Sequence, residues 1–106
     1  MFRSHNSNRN GGSFDESTKL AIWNKATIVY NTDSSKRRKD SCNAWIDYNQ
    51  YGITVDGGTG WEIDHIIPVS AGGSDDLYNL QPLQWQNNRR KGDSIGGWTC
   101  AISARG

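Results

Sequence analysis

A chain of 106 residues with a formal net charge of +1 has room for one compact domain with a small core, and as a whole it is not a polycation. Only 34% of it is hydrophobic, and five tryptophans and four tyrosines supply much of that material, so aromatic packing must provide core area that aliphatic residues do not. The opening MFRSHNSNRNGGS is polar and has no apolar run of the signal-peptide or membrane-span kind, so the expected location is cytoplasmic, with no membrane partner.

In chain order, residues 1–12 are rich in Ser, Asn, Gly and Arg and are expected to form a flexible N-terminal tail ahead of a single domain over 13–106. His5 falls in that tail, where a base cannot be preorganised. Ser13 has the chemistry of an N-cap, Asp15 and Glu16 suit the positive end of a helix dipole, and the apolar spacing predicts a helix over 14–26. Residues 31–41 are polar and basic and are expected to be a loop. A strand is predicted over 44–48 and a glycine-marked turn over 56–60. A second strand follows over 61–66, expected to pair with the first as a β-hairpin. Pro68 and Gly72-Gly73 open a loop, and residues 80–83 suit a short edge strand despite Pro82. Residues 85–91 are predicted to be a helix stopped by Gly92, with Arg89, Arg90 and Lys91 in its last turn. The fold class expected from this order is α+β.

Cys42 and Cys100 belong to no CxxC pair, which argues against a structural zinc site. A buried thiol pair is the plain reading, and a disulfide would require an oxidising compartment. Two basic clusters, Lys36 to Lys39 and Arg89 to Lys91, are either solvated charged faces or two halves of a phosphate-contacting surface.

Three positions carry candidate chemistry. Asp64 and His65 are neighbours, and neighbouring side chains of a regular strand face opposite ways. They serve one centre only if the strand ends there, as Pro68 and the glycines after it suggest. Asn88 lies mid-helix; if that helix packs across the strands, its amide oxygen and the Asp64 carboxylate make an oxygen-only half-shell suited to Mg²⁺ or Mn²⁺ and not to Zn²⁺. Asn79 is suited to bridging two backbone groups and holding the loop. Glu62 is either a supporting group behind the site or an exposed strand carboxylate.

The run DHIIPVSAGGSDDLYNLQPLQWQNNRRKG resembles the ββα-metal motif of the HNH endonuclease family, with its DHI-P opening, GGS loop, Asn-Leu pair and closing N-x-x-K-G in order. The resemblance implies a small ββα-metal (His-Me finger) core with an added N-terminal helix and a β-hairpin. It implies His65 as general base, Asp64 and Asn88 as ligands of one divalent ion, and Asn79 as the loop-shaping residue. Asn88 stands where many relatives carry a second His, making this an H-N-N variant. Arg89, Arg90 and Lys91, with Arg37 and Arg38, would contact phosphate. The implied activity is metal-dependent nicking of nucleic acid, DNA in preference to RNA, with low sequence specificity, by a monomer of phage or bacterial origin. A non-catalytic nucleic-acid-binding domain of the same fold and a protein-interaction module are the alternatives. Many relatives also carry two CxxC pairs holding zinc. Gln84 and Asn87 stand at the downstream pair here, so Trp61, Trp85 and the N-terminal helix are expected to do the holding instead.

Overall fold

A computed structural model describes residues 4–104. Its elements are a helix α1 (Glu16–Trp23), strands β1 (Arg37–Lys39), β2 (Trp45–Asp47), β3 (Trp61–His65) and β4 (Leu80–Gln84), and a helix α2 (Trp85–Lys91), with short 3₁₀ turns at Tyr48–Gln50, Val69–Ala71 and Leu77–Asn79. The fold is α+β, built on two antiparallel two-stranded sheets, β1–β2 and β3–β4. The run β3, long loop, β4, α2 is a ββα unit.

α1 is shorter than predicted because Asp15, not Ser13, caps it: the Asp15 carboxylate accepts from the Thr18 backbone N–H at 2.8 Å. The expected loop over 31–41 contains β1, and the expected hairpin between the second and third strands does not form. β2 pairs instead with β1, in the register Arg37 with Asp47 and Lys39 with Trp45. Hydrophobic patterning missed β1 because its strand is basic, and its cations are consumed internally. The buried Arg38 guanidinium donates to the carbonyls of Ser34, Asn24 and Ala26 and lies over the Trp23 ring. Lys39 lies 4.6 Å from the Trp45 ring centroid.

β3 pairs with β4 from Trp61 opposite Gln84 to His65 opposite Leu80, with Pro82 opposite Ile63. Pro82 is tolerated because β4 has only one strand neighbour, so the N–H that proline lacks is not needed on the far side. α2 spans 85–91 as the sequence indicated. The Gln84 side chain accepts from the N–H groups of Gln86 and Asn87 at its start, and Gly92 turns the chain away at φ 52°.

The core joins Ile22, Trp23 and Ala26 to Ile46, Trp61, Ile63 and Leu80, flanked by Phe14, Tyr48 and Tyr51. Trp61 is its hub, with ring centroids 5.2 Å from Trp23 and 4.9 Å from Tyr51. Trp85 does not join this core. It is half-buried, and its indole N–H reaches the Val55 carbonyl at 3.2 Å, closing the loop before β3.

The unit is held from behind by a polar cluster and a disulfide. Asp40, 3% exposed, accepts from the N–H groups of Cys42 and Ala44 through one oxygen and from the Gln84 N–H and Asn87 side chain through the other. Asn87 in turn accepts from the N–H groups of Ala101 and Ile102. Cys42 and Cys100 form a disulfide, replacing the thiol pair of the plain sequence reading. Such a bond persists in oxidising surroundings, a condition that the cytoplasmic expectation did not include. No helix among the described residues is long and apolar enough to cross a membrane.

The N-terminal residues also make contacts that composition did not foresee. The Asn6 amide oxygen accepts from the Ile63 N–H at 2.7 Å and from the Tyr51 hydroxyl at 3.0 Å, and the Arg9 N–H faces Asp75.

The disulfide closes a sequence separation of 58 residues, so chain-entropy reasoning assigns it about 4 kcal/mol. Urea unfolding with and without a thiol reductant should differ by that order; equal midpoints would show that the bond does not constrain the unfolded chain. Asp40→Ala strands several buried donors and should cost about 3–5 kcal/mol in the same measurement.

Candidate active site

The pocket of interest, about 420 Å³, opens where β3 ends against the loop after it and the last turn of α2. Its lining includes Asp64, His65 and Asn88, with Pro68, Gly92 and Asp93, and also Ser4, His5 and Asn6 from the N-terminal segment. Asp64 and Glu62 face α2, while His65 faces the loop. The two neighbours share one pocket because the strand stops at His65.

His65 is 4% exposed and its Nε2 lies 2.7 Å from Asp75 Oδ1. Phe14 packs near the ring at a centroid distance of 6.1 Å. The loop that carries Asp75 is held by Asn79, which is buried. The Asn79 amide oxygen accepts from the Ile67 N–H at 2.8 Å, and its nitrogen donates to the carbonyls of Ile67 and Ser74 at 3.1 and 2.8 Å. All these bonds are to backbone, and none reaches the pocket. Gly73 completes the loop: a Cβ there would stand 1.7 Å from the Ile67 carbonyl oxygen.

Asp64 is 5% exposed; its carboxylate accepts from the Gln81 side chain at 2.9 Å and pairs with Lys91 Nζ at 3.1 Å. Burial pushes the Asp64 carboxyl above the usual carboxylate range, with the Gln81 hydrogen bond and the Lys91 charge pulling the other way. Lys91 is itself 2% exposed and also donates to the His65 carbonyl at 2.9 Å. It is therefore committed inside the site, not projected toward solvent as a phosphate-reaching cation would be.

Asn88 is 7% exposed, and its Nδ2 donates to Glu62 Oε1 at 2.9 Å. Glu62 is 2% exposed and forms a two-pronged contact with Arg89, at 3.2 and 2.9 Å. This carboxylate is the supporting group, not the exposed one, of the two sequence readings. Glu62 takes the amide nitrogen, which leaves the Asn88 oxygen as the atom that could serve a cation. Of the remaining basic residues, Arg90 is exposed and Arg89 has 38% of its side chain exposed, whereas Arg38 is enclosed and Arg37 pairs with Asp47 at 2.8 Å on the other sheet.

The donor set can be tested against a metal. Among the described residues no group of three or more His, Cys, Asp or Glu side chains is arranged to hold an ion. A cation held by the Asp64 carboxylate and the Asn88 amide oxygen, two side chains that line the pocket, would need water and substrate oxygens to complete its shell. Those are hard donors, which fit a Mg²⁺-like ion and not Zn²⁺. Asp64 must then share or surrender its contact with Lys91.

Sequence reasoning missed Asp75, Gln81 and the N-terminal contacts. Asp75 follows no spacing rule relative to His65; only the folded loop brings it there. Gln81 was findable once β4 was placed opposite β3, since register sets it across from Asp64. Substitution Gly73→Ala should displace the loop and cost at least about 2 kcal/mol, and Asn79→Ala a similar amount, because each disturbs buried backbone partners. Thermal melts of the two variants check this; unchanged melting would mean that the loop is not held as described.

Residues 52–94 match the family model for the HNH endonuclease, a span that takes in β3, the loop, β4 and α2. Comparison with curated proteins and with solved structures gives no match. The matched span coincides with the ββα arrangement, so residues 52–94 are similar to the HNH endonuclease family in both sequence and order of elements.

Proposed function

We propose that the chain is a metal-dependent endonuclease that nicks DNA with low sequence specificity. The observation that supports this most is the meeting of Asp64, His65 and Asn88 on one pocket at the end of β3. His65 acts as the general base: the lone pair of a neutral imidazole accepts a proton from the attacking water. Asp64 and Asn88 hold one divalent ion, Mg²⁺ or Mn²⁺, which when bound supplies charge compensation for the phosphoryl group. Asn79 supports the reaction only through the loop.

The phosphate-contacting role expected for five basic residues narrows to Arg90 and the exposed part of Arg89. Lys91 serves better as the counter-charge to Asp64, and Arg38 as a brace between α1 and β1. Contacts from arginines to phosphate position a strand without reading its sequence, in keeping with low specificity.

Plasmid nicking in Mg²⁺ or Mn²⁺, with and without EDTA, tests the reading on wild type, His65→Ala and Asp64→Ala. Nicking should require the metal and fall by about 10²- to 10⁴-fold in His65→Ala. Cutting that survives EDTA or the His65 substitution would overturn the assignment. DNA retention without cutting by any of the proteins would favour a non-catalytic binding domain, and loss of all DNA affinity an interaction module. The same assay on a labelled RNA decides the substrate class.

A further inference from the structure

We propose that Asp75 is a positioning residue for His65, fixing the imidazole as the Nε2–H tautomer and leaving Nδ1 as the proton-accepting atom. The geometry stands by itself; its consequence for catalysis rests on the nuclease reading given above.

His65 Nε2 lies 2.7 Å from Asp75 Oδ1. A carboxylate is an acceptor only, so the nitrogen facing it must carry the hydrogen, and a neutral imidazole has one hydrogen to place. Nδ1 is then the lone-pair atom. The His65 side chain is 3% exposed and that of Asp75 is 34% exposed. The ring nitrogen has no ready access to solvent, so the contact with Asp75 is what satisfies it, while the carboxylate keeps part of its hydration. A buried ring nitrogen deprived of its partner carries the cost of an unmade hydrogen bond.

The surroundings hold Asp75 in place from both sides. Its two oxygens lie 3.1 and 3.2 Å from the Arg9 backbone N–H. Asn79 grips the carbonyl of Ser74, the residue immediately before it, and the close packing of Gly73 under Ile67 sets the path of the loop. The loop's glycine and asparagine thus converge on the placement of one carboxylate.

In the proposed reaction Nδ1 takes a proton from the attacking water, the water oxygen forms a bond to phosphorus, and the bond from phosphorus to the 3′ oxygen breaks. The leaving oxygen is protonated from solvent. His65 then carries a hydrogen on both nitrogens and a positive charge, which the Asp75 carboxylate faces at hydrogen-bond distance. The relation is that of an orienting acid to a catalytic histidine, in which the acid holds the ring and stabilises its cation without taking the proton.

The test combines tautomer and rate. Nitrogen-15 NMR of the imidazole, in a His5→Ala background so that a single histidine is observed, should show the Nε2–H tautomer in the otherwise wild-type chain and a mixture in Asp75→Ala. Metal-dependent nicking by Asp75→Ala should fall in kcat by about tenfold to a hundredfold with KM unchanged. Asp75→Asn retains an acceptor oxygen without the charge, so it should keep the tautomer and lose less rate; it also decides the matter if the alanine variant fails to fold. An Nδ1–H tautomer in the wild-type ring, or wild-type kcat in the Asp75 variants, would overturn the proposal. A wild-type chain that shows the Nε2–H tautomer but nicks nothing would sustain the positioning role and overturn the nuclease reading instead.

Discussion

The buried carboxylate of Asp40 is the constraint on which the rest of the structure depends. It sits after β1, at the turn into β2, and binds at once its own turn, the end of β4 and the side of α2. Four donors compensate the desolvation that would otherwise forbid a charge there. Gln84 and Asn87, two of the residues it engages, stand at the positions assigned above to zinc-binding cysteines in many relatives. A hydrogen-bonded cluster, tied further by the Cys42–Cys100 disulfide, does the joining in this chain. Asn87 carries the join onward by accepting from the N–H groups of Ala101 and Ile102, so the C-terminal segment and α2 are fixed by the same group of residues.

That fixing matters because the site is assembled from elements too short to hold themselves. α2 has seven residues and β3 five, well below the length at which an isolated helix persists or a hairpin stands alone. Asp64 and His65 keep their places because Trp61 and Ile63, on the same strand, are sunk into the core while Asp40 anchors the strand's partner and the helix behind it. Rigidity at the back is thus converted into placement at the front. The loop between β3 and β4 is braced separately by Asn79 and Gly73, so the His65 side of the pocket and the Asn88 side rest on different supports.

How much of this was legible in the sequence follows from the range of each interaction. α2 was legible to the residue, since its basic last turn and terminal glycine are local signals. β4 was legible despite Pro82 because an edge position tolerates the missing N–H. Asp64, His65, Asn79 and Asn88 were singled out by their pattern; three of them line one pocket because the strand ends where the proline and glycines implied, and Asn79 bonds to the loop backbone. β1 was not legible, because a strand of Arg37, Arg38 and Lys39 looks solvated until Trp23, Trp45 and three backbone carbonyls are seen to enclose Arg38 and Lys39. For the same reason, charge clustering overstated the phosphate-facing surface: Arg38 and Lys91 are spent inside the fold. The Cys42–Cys100 bond and the Asp75 contact depend on tertiary closure, which no local spacing encodes.

The charges at the site are also arranged in a way that composition could not reveal. Three of the carboxylates there have their own partners, Glu62 with Arg89, Asp64 with Lys91 and Asp75 with His65, and Asp93 also lines the pocket. With these three paired, the exposed cations that α2 keeps are Arg90 and the solvent-facing part of Arg89. A phosphate entering such a site must bring a compensating cation or take one from these pairs. At Asp64 burial works against the charge, and the Gln81 hydrogen bond and the Lys91 ammonium offset it. The Lys91 ammonium also donates to the His65 carbonyl, so one buried cation ties together the two neighbouring residues that share the pocket.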